Sequence, residues 1–404
     1  MPTSTAREEI PPTAGLPLGL RDLLPARQAD FPGAMADFLG VPRVGVECSG
    51  TACLVVILKT LQRLSPRRTV VVPAYTCPLV VFAVTHCGLQ LRLCDLAPGS
   101  FELCPEALQR VCDSDTLAVL PTHLGGRVAD LAPILAVAAH RGAFVVEDAA
   151  QALGAREAGR RLGLAGDAGF FSLAAGKGLS LFEGGVWVAR DPAMAAELAR
   201  TSAETIPAQF WQEAFRCLQL LGYAALYRPG PLRYAYGAPL RRALKENDPV
   251  AAAGDEFSPD IPLHRVSAWR QAVGCRGLSR LPGFQAALRT QALARLPRLA
   301  GLPGVKVFGD RSGEEGTWPF FMLLLPDRQT RDAVMAELWG SGLGLARMFA
   351  NALPDYEYLR PWVAPADCPN ARDFADRSLT VTNSLWLDNA RFERIVAALE
   401  RHLR

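Results

Sequence analysis

An α/β fold with a large, mostly parallel sheet and a smaller C-terminal α+β part is predicted by three features of this 404-residue chain. Short β-branched runs recur from about residue 44, helical stretches separate them, and the rhythm stops near residue 202. Apolar runs linked by helices imply strands buried on both faces, hence a parallel sheet covered by helices.

In order, "TVVVPA" (69–74), "LQLRLCDL" (89–96), "TLAVLPT" (116–122) and "AFVVEDA" (143–149) are the expected strands. Leu79–His86, Pro105–Cys112 and Asp130–Arg141 are the helices between them. The uncharged window Thr69–Leu91 is broken by Pro73, Pro78 and Gly88, so it is expected to form strand, loop, helix and strand, not a membrane span. Residues 206–244 read as helical, aromatic and arginine-dotted, and "NDPVAAAGDEFSPDIP" as a loop. A helix around 265–300, strands at "GVKVFG" and "WPFFMLLLP", and helices at 328–341 and 388–403 follow. The expected division is an N-terminal arm (1–43), a large sheet domain (44–205), a helical insertion (206–262) and a small domain (263–404).

Composition narrows the function. The chain is half hydrophobic, one fifth charged and carries a net charge of +3, which gives no footprint for nucleic acid. Its ten cysteines form no CxxC pair and lie mostly in apolar runs, as reduced core residues of a cytoplasmic protein do. The N-terminus lacks a continuous apolar segment, so no signal peptide is expected, and no metal site is read.

Of 43 basic residues only Lys59, Lys177, Lys245 and Lys306 are lysines, and Lys177 stands between two glycines in "FSLAAGKGLSLFEGG". An amine can lose its proton and attack a carbonyl, which a guanidinium cannot. A solvated loop lysine is the alternative. Asp148, at the end of "FVVED", faces the crevice where open α/β sheets bind ligands, or else caps a following helix "AAQA". In "ECSGTAC" the Thr51 hydroxyl and the backbone N–H groups of a helix start would cradle a phosphate, although serine and threonine cap helices widely. Amine, carboxylate and phosphate donors together suit pyridoxal 5'-phosphate (PLP).

The order "SGTAC … VVVPAYTCPLVVFAVTHCG … THLGG … VVEDAAQALGA … GDAGFFSLAAGKGLSLFEGGVWVA" resembles the DegT/StrS-type sugar aminotransferases, over residues 44–200 and again near the C-terminus. The resemblance implies a fold-type-I PLP enzyme, acting as a homodimer with its active site at the interface. By position, Lys177 is similar to the Schiff-base lysine, five residues after Ser172, and Asp148 to the partner of the pyridine nitrogen. Gln151 matches the glutamine beside the cofactor's phenolic oxygen, and Thr51, Ala52 and Ser172 match phosphate contacts. Arg265 falls on the basic residue that the family supplies across its dimer interface. Glycines and alanines around Lys177 are expected to leave room for the planar cofactor.

Two positions depart from the pattern. Cys77 stands where an aromatic usually stacks on the cofactor ring, leaving Tyr75 or His123 to supply one. Leu263 stands where the family has an asparagine reaching the neighbour's phosphate, and leucine has no polar atom to offer.

The implied reaction moves an amino group from an amino acid, with glutamate the usual donor, to a keto or aldehyde acceptor, most often a nucleotide-linked keto-sugar. A PLP lyase or decarboxylase acting on an amino acid or a lipid-linked substrate, and a non-catalytic PLP-binding regulator, are the alternatives. The apolar segment 206–244 reads three ways: a helix packed on its own subunit or dimer mate, a lid over an apolar or lipid-linked substrate, or an interfacial helix on anionic membrane.

Overall fold

The computed structural model describes residues 8–24 and 29–403. Parts of the expected N-terminal arm, 1–7 and 25–28, lie outside the described residues. The four β-branched runs fold as Thr69–Pro73, Gln90–Cys94, Thr116–Val119 and Phe144–Asp148, all pairing in parallel. Val70, Val71 and Val72 are wholly buried, because helices cover both faces of the sheet.

Ala168–Ser172 extends the parallel set, and the chain then doubles back as Gly185–Val188. Val44–Glu47 closes that edge antiparallel. Across the seven-stranded sheet the order is therefore 44–47, 185–188, 168–172, 144–148, 116–119, 69–73 and 90–94. Pro73, Asp148 and Ser172 end parallel strands at the same edge, so the loops that follow them gather there.

The C-terminal part begins with the long helix Ala268–Ala300. It continues into an antiparallel four-stranded sheet of Lys306–Val307, Phe320–Leu324, Ser378–Thr382 and Leu345–Ala346, in that spatial order. Its apolar side packs on the helices Arg328–Leu338 and Asn389–His402 through Phe321, Leu323, Val334, Ile395 and Leu399. Glu314–Glu315 pairs with Arg156–Glu157, which ties this part to the larger sheet region.

Two local expectations change. No helix follows Asp148: residues 150–151 form a turn, with Ala152 N–H donating to Ala149 O at 2.8 Å. The segment expected to be a loop after residue 246 contains a short helix, Pro249–Ala253. Asp248 caps it by accepting from the Val250 and Ala251 N–H groups.

Residues 9–16 run as an extended strap across all these parts. Glu9 N–H donates to Pro229 O, Ile10 N–H to Gly342 O, Ala14 N–H to Pro319 O and Leu16 N–H to Gly178 O, at 2.8–3.2 Å.

Candidate active site

Lys177 sits at the tip of the hairpin between Ala168–Ser172 and Gly185–Val188. The limbs are held by Leu173 N–H to Gly184 O (2.7 Å), Leu181 N–H to Leu173 O (2.9 Å) and Ala175 N–H to Phe182 O (2.7 Å). Lys177 N–H turns back to Ala174 O at 3.1 Å. Gly176 adopts φ +78°, and a Cβ there would stand 2.6 Å from Thr13 Oγ1. That glycine is required by the backbone and the strap. At Gly178 the nearest atom to an added Cβ is Leu281 Cδ1 at 3.8 Å, an ordinary contact, so no neighbour in the chain demands a glycine there.

Among the described residues, Lys177 Nζ makes no hydrogen bond and no ion pair. Burial pushes its pKa below the usual lysine value, only partly offset by Cys77 and Asp148. Asp148 moves the other way: burial raises its carboxyl, while Ala150 N–H, Lys177 and His123 counteract. Its Oδ1 accepts from Ala150 N–H at 3.0 Å, a local turn contact in place of a helix cap, and its other oxygen has no partner among the described residues.

The adjacent Glu147 points to the opposite face of the strand. It accepts from Gly163, Ala165 and Gly166 N–H groups at 2.6–2.7 Å and lies 3.0 Å from His123 Nε2. Burial alone would raise its carboxyl, but His123 and these N–H groups outweigh that and lower it. The "ED" pair therefore divides into a fully paired structural acid and a partly unpaired one.

Gln151 Oε1 accepts from Gly125 N–H at 2.7 Å, and its Nε2 lies 3.4 Å from Met348 Sδ. Gln151, Ser172 and Lys177 line one cavity, with Gln285, Thr317 and Pro319 on its far walls. The helix Gly50–Leu64 meets this cavity's edge at its first turn: a Cβ on Gly50 would approach Ser172 Cβ to 3.2 Å. Ser49 caps that helix by accepting from Ala52 N–H at 3.0 Å, and the Thr51 hydroxyl makes no hydrogen bond among the described residues.

Cys77 lies close enough to Lys177 and Asp148 to feel both charges, and burial pushes its thiol up to about 12, so it is neutral near pH 7. Neither alternative aromatic is free to replace it simply. Tyr75 is packed edge-on against Phe349 and Phe374, with its hydroxyl bonded to Phe349 O. His123 uses both ring nitrogens, one on Glu147 and one accepting from Ala129 N–H at 3.0 Å.

Arg265 is not brought to the cavity within this chain. It is exposed, its Nε donates to Ile206 O at 3.2 Å, and its N–H donates to Pro207 O. Leu263 packs against the large sheet's core. Sequence reading missed Ser49, Met348 and the buried Glu213–Arg270 pair behind the hairpin. Each acts through a fold contact; only Ser49, three residues before Ala52, carried a local signal.

An amine whose proton affinity is lowered by burial, an unpaired carboxylate oxygen and a free hydroxyl at a helix start fit PLP by donor chemistry. Together with the sheet, they define a fold-type-I PLP enzyme. Among the described residues no group of three acidic, histidine or cysteine side chains could hold a metal ion.

The chain belongs to the DegT/DnrJ/EryC1/StrS aminotransferase family, whose model matches residues 25–225 and 263–400. It is a PLP-dependent aminotransferase. Between the two matched segments lies 226–262, while 206–225 falls within the first of them. GDP-perosamine synthase of Caulobacter vibrioides is 27% identical over 379 residues, 93% of this chain and 89% of that enzyme. UDP-N-acetyl-3-dehydro-alpha-D-glucosamine 3-aminotransferase of Acidithiobacillus ferrooxidans is 35% identical over 158 residues, 39% of this chain and 42% of that enzyme. Spr1654 of Streptococcus pneumoniae, solved in its PLP form, shares the fold with a TM-score of 0.76 at 17% identity over 98% of each chain.

Proposed function

We propose that this aminotransferase moves an amino group from an amino acid, glutamate in the first instance, to a nucleotide-linked keto-sugar. The acceptor class rests on the relatives named for GDP- and UDP-linked products and substrates. The observation that carries the site assignment is Lys177: a half-buried lysine whose amine has no partner among the described residues, its proton affinity lowered by desolvation, in one cavity with Ser172 and Gln151.

When bound, PLP supplies an aldehyde carbon for amines to condense with and a cationic ring that takes up the electron pair left by a departing α-proton. Lys177 would hold the cofactor and move a proton through Nζ. Asp148, through its unpaired oxygen, would keep the ring nitrogen protonated. Gln151 would orient the phenolic oxygen, and Thr51, Ala52 and Ser172 would hold the phosphate. Cys77 would offer the ring a neutral, polarizable side chain.

The enzyme is read as a cytoplasmic homodimer, with Arg265 serving the neighbouring copy's site. Its exposure, and its absence from the residues lining this chain's own cavity, support that reading. Among the described residues no helix is long and apolar enough to cross a membrane.

The test is visible absorbance with added PLP. The wild-type chain develops a cofactor band that shifts with an amino donor, while Lys177→Ala does not. An unchanged band in Lys177→Ala would sink the site assignment. A donor screen that never leaves the amino group on the bound cofactor would favour lyase or decarboxylase chemistry. Sedimentation of the full chain checks the dimer, and flotation with anionic liposomes checks for membrane contact.

A further inference from the structure

The return limb of the lysine hairpin contains Phe182 at φ +68°, a left-handed conformation that costs a bulky side chain free energy. Such a residue persists only where its surroundings hold it. Both carbonyls that flank it, Leu181 O (3.2 Å) and Glu183 O, accept from one nitrogen, Nη1 of Arg270. Arg270 is completely buried in the first turns of the helix Ala268–Ala300. Its other two donors are taken by Glu213, with Nε to Oε1 at 2.7 Å and Nη2 to Oε2 at 2.5 Å.

Glu213 is itself filled: Ser267 N–H donates to Oε1 at 2.8 Å and His264 Nδ1 lies 3.1 Å from Oε2. A second pair, Arg216 to Glu183 at 2.9 Å, joins the helix Phe210–Leu226, which carries Glu213, to the same limb. A guanidinium with both arms fixed is a rigid fork, unlike a lysine on a flexible stem. Phe182 O, between the two clamped carbonyls, is the acceptor for Ala175 N–H on the outgoing limb, two residues before Lys177.

We propose that Arg270, held by Glu213, is a positioning residue for Lys177: by clamping the carbonyls on both sides of Phe182 it fixes the hairpin that keeps the amine in its cavity. The proposal rests on the reading of Lys177 as the reactive amine. It adds that the amine's placement is set from behind, by a helix pair outside the cavity.

The test measures the amine without cofactor. Trace acetylation of the full-length apoprotein, mapped by peptide mass across about pH 6 to 11, reports the titration midpoint of each lysine. Lys59, Lys245 and Lys306 serve as internal references. The midpoint is read, and not the rate, because exposure also changes the rate.

In Arg270→Met the Lys177 midpoint rises toward the ordinary lysine value by about one unit as the amine reaches water, and the references stay put. Arg270→Lys restores only part of the shift. Phe182→Gly added to Arg270→Met recovers most of it, since glycine takes the left-handed conformation without strain. With PLP, kcat falls more than KM rises.

An unmoved Lys177 midpoint in Arg270→Met, with only a lower unfolding temperature, would overturn the proposal and leave Arg270 a structural residue. Should Arg270→Met not fold, Arg270→Lys with and without Phe182→Gly gives the same contrast. If instead Lys177→Ala keeps the cofactor band while Arg270→Met still shifts the Lys177 midpoint, the site assignment fails and the clamp stands.

Discussion

The carboxyl edge of the seven-stranded sheet and the helix Phe210–Leu226 treat their side chains in opposite ways. The sheet edge leaves polar groups unpaired: the amine of half-buried Lys177, and one oxygen of buried Asp148. The helix buries Glu213 with every acceptor site used and leaves Trp211 82% and Phe210 74% exposed. Unpaired polar burial is costly and is tolerated where a ligand completes the pairing. Fully paired burial next to an apolar outer face marks a structural anchor, with a surface that a second molecule can cover. Both regions meet at the lysine hairpin.

Substitutions that separate the two roles can be ranked. Lys177→Ala removes the group that holds the cofactor and moves the proton, so kcat falls by at least about a thousandfold. Its unfolding midpoint holds, because the half-buried amine has no hydrogen bond or ion pair to lose among the described residues. A steady-state assay with thermal unfolding beside it reads both.

Asp148→Asn lowers kcat by about a hundredfold or more at little cost in stability, since it removes a buried charge that lacks a full set of partners. Loss of stability on the scale of a broken salt bridge would contradict the contrast drawn here.

Glu213→Gln acts in the reverse sense. It leaves Arg270 buried without a counter-ion and costs about 3–5 kcal/mol in urea unfolding. It also changes the acid limb. Burial would raise the Glu213 carboxyl, but hydrogen bonds from Arg270, His264 and Ser267 outweigh it and hold the folded value far below the usual range. A depressed carboxylate stabilises the fold above its unfolded pKa and loses that contribution as pH falls. Stability of the wild-type chain therefore drops more steeply below about pH 4.5 than that of Glu213→Gln.

The smallest effect is expected at Trp211→Ser, within about 0.5 kcal/mol for an isolated chain. A larger loss that depends on protein concentration would show that this face is covered in a dimer.

What was legible in the sequence follows the same division. Buried strands announce themselves through runs such as "TVVVP", because both faces need apolar side chains. Lys177, Asp148 and Gln151 were legible through their spacing within a single hairpin and strand end. At Gly176 the sequence did not show a further constraint, which comes from Thr13 in the strap, 163 residues away. Glu213 and Arg270 carried no signal: 57 residues separate them, and each alone is an ordinary helix residue. The turn after Asp148 replaced an expected helix because Asp148 satisfies Ala150 N–H directly.

The strap at residues 9–16 has a consequence for how the molecule is made. Its partners include Gly178, Pro229, Pro319 and Gly342, so this segment waits for most of the chain that follows it before all its contacts can form. Thr13 and Leu16 of that segment hold the lysine loop at Gly176 and Gly178. A growing chain therefore has both partners of its lysine loop once residue 178 is made, whereas the strap's contacts at Ala14 and Ile10 lock only when Pro319 and Gly342 follow.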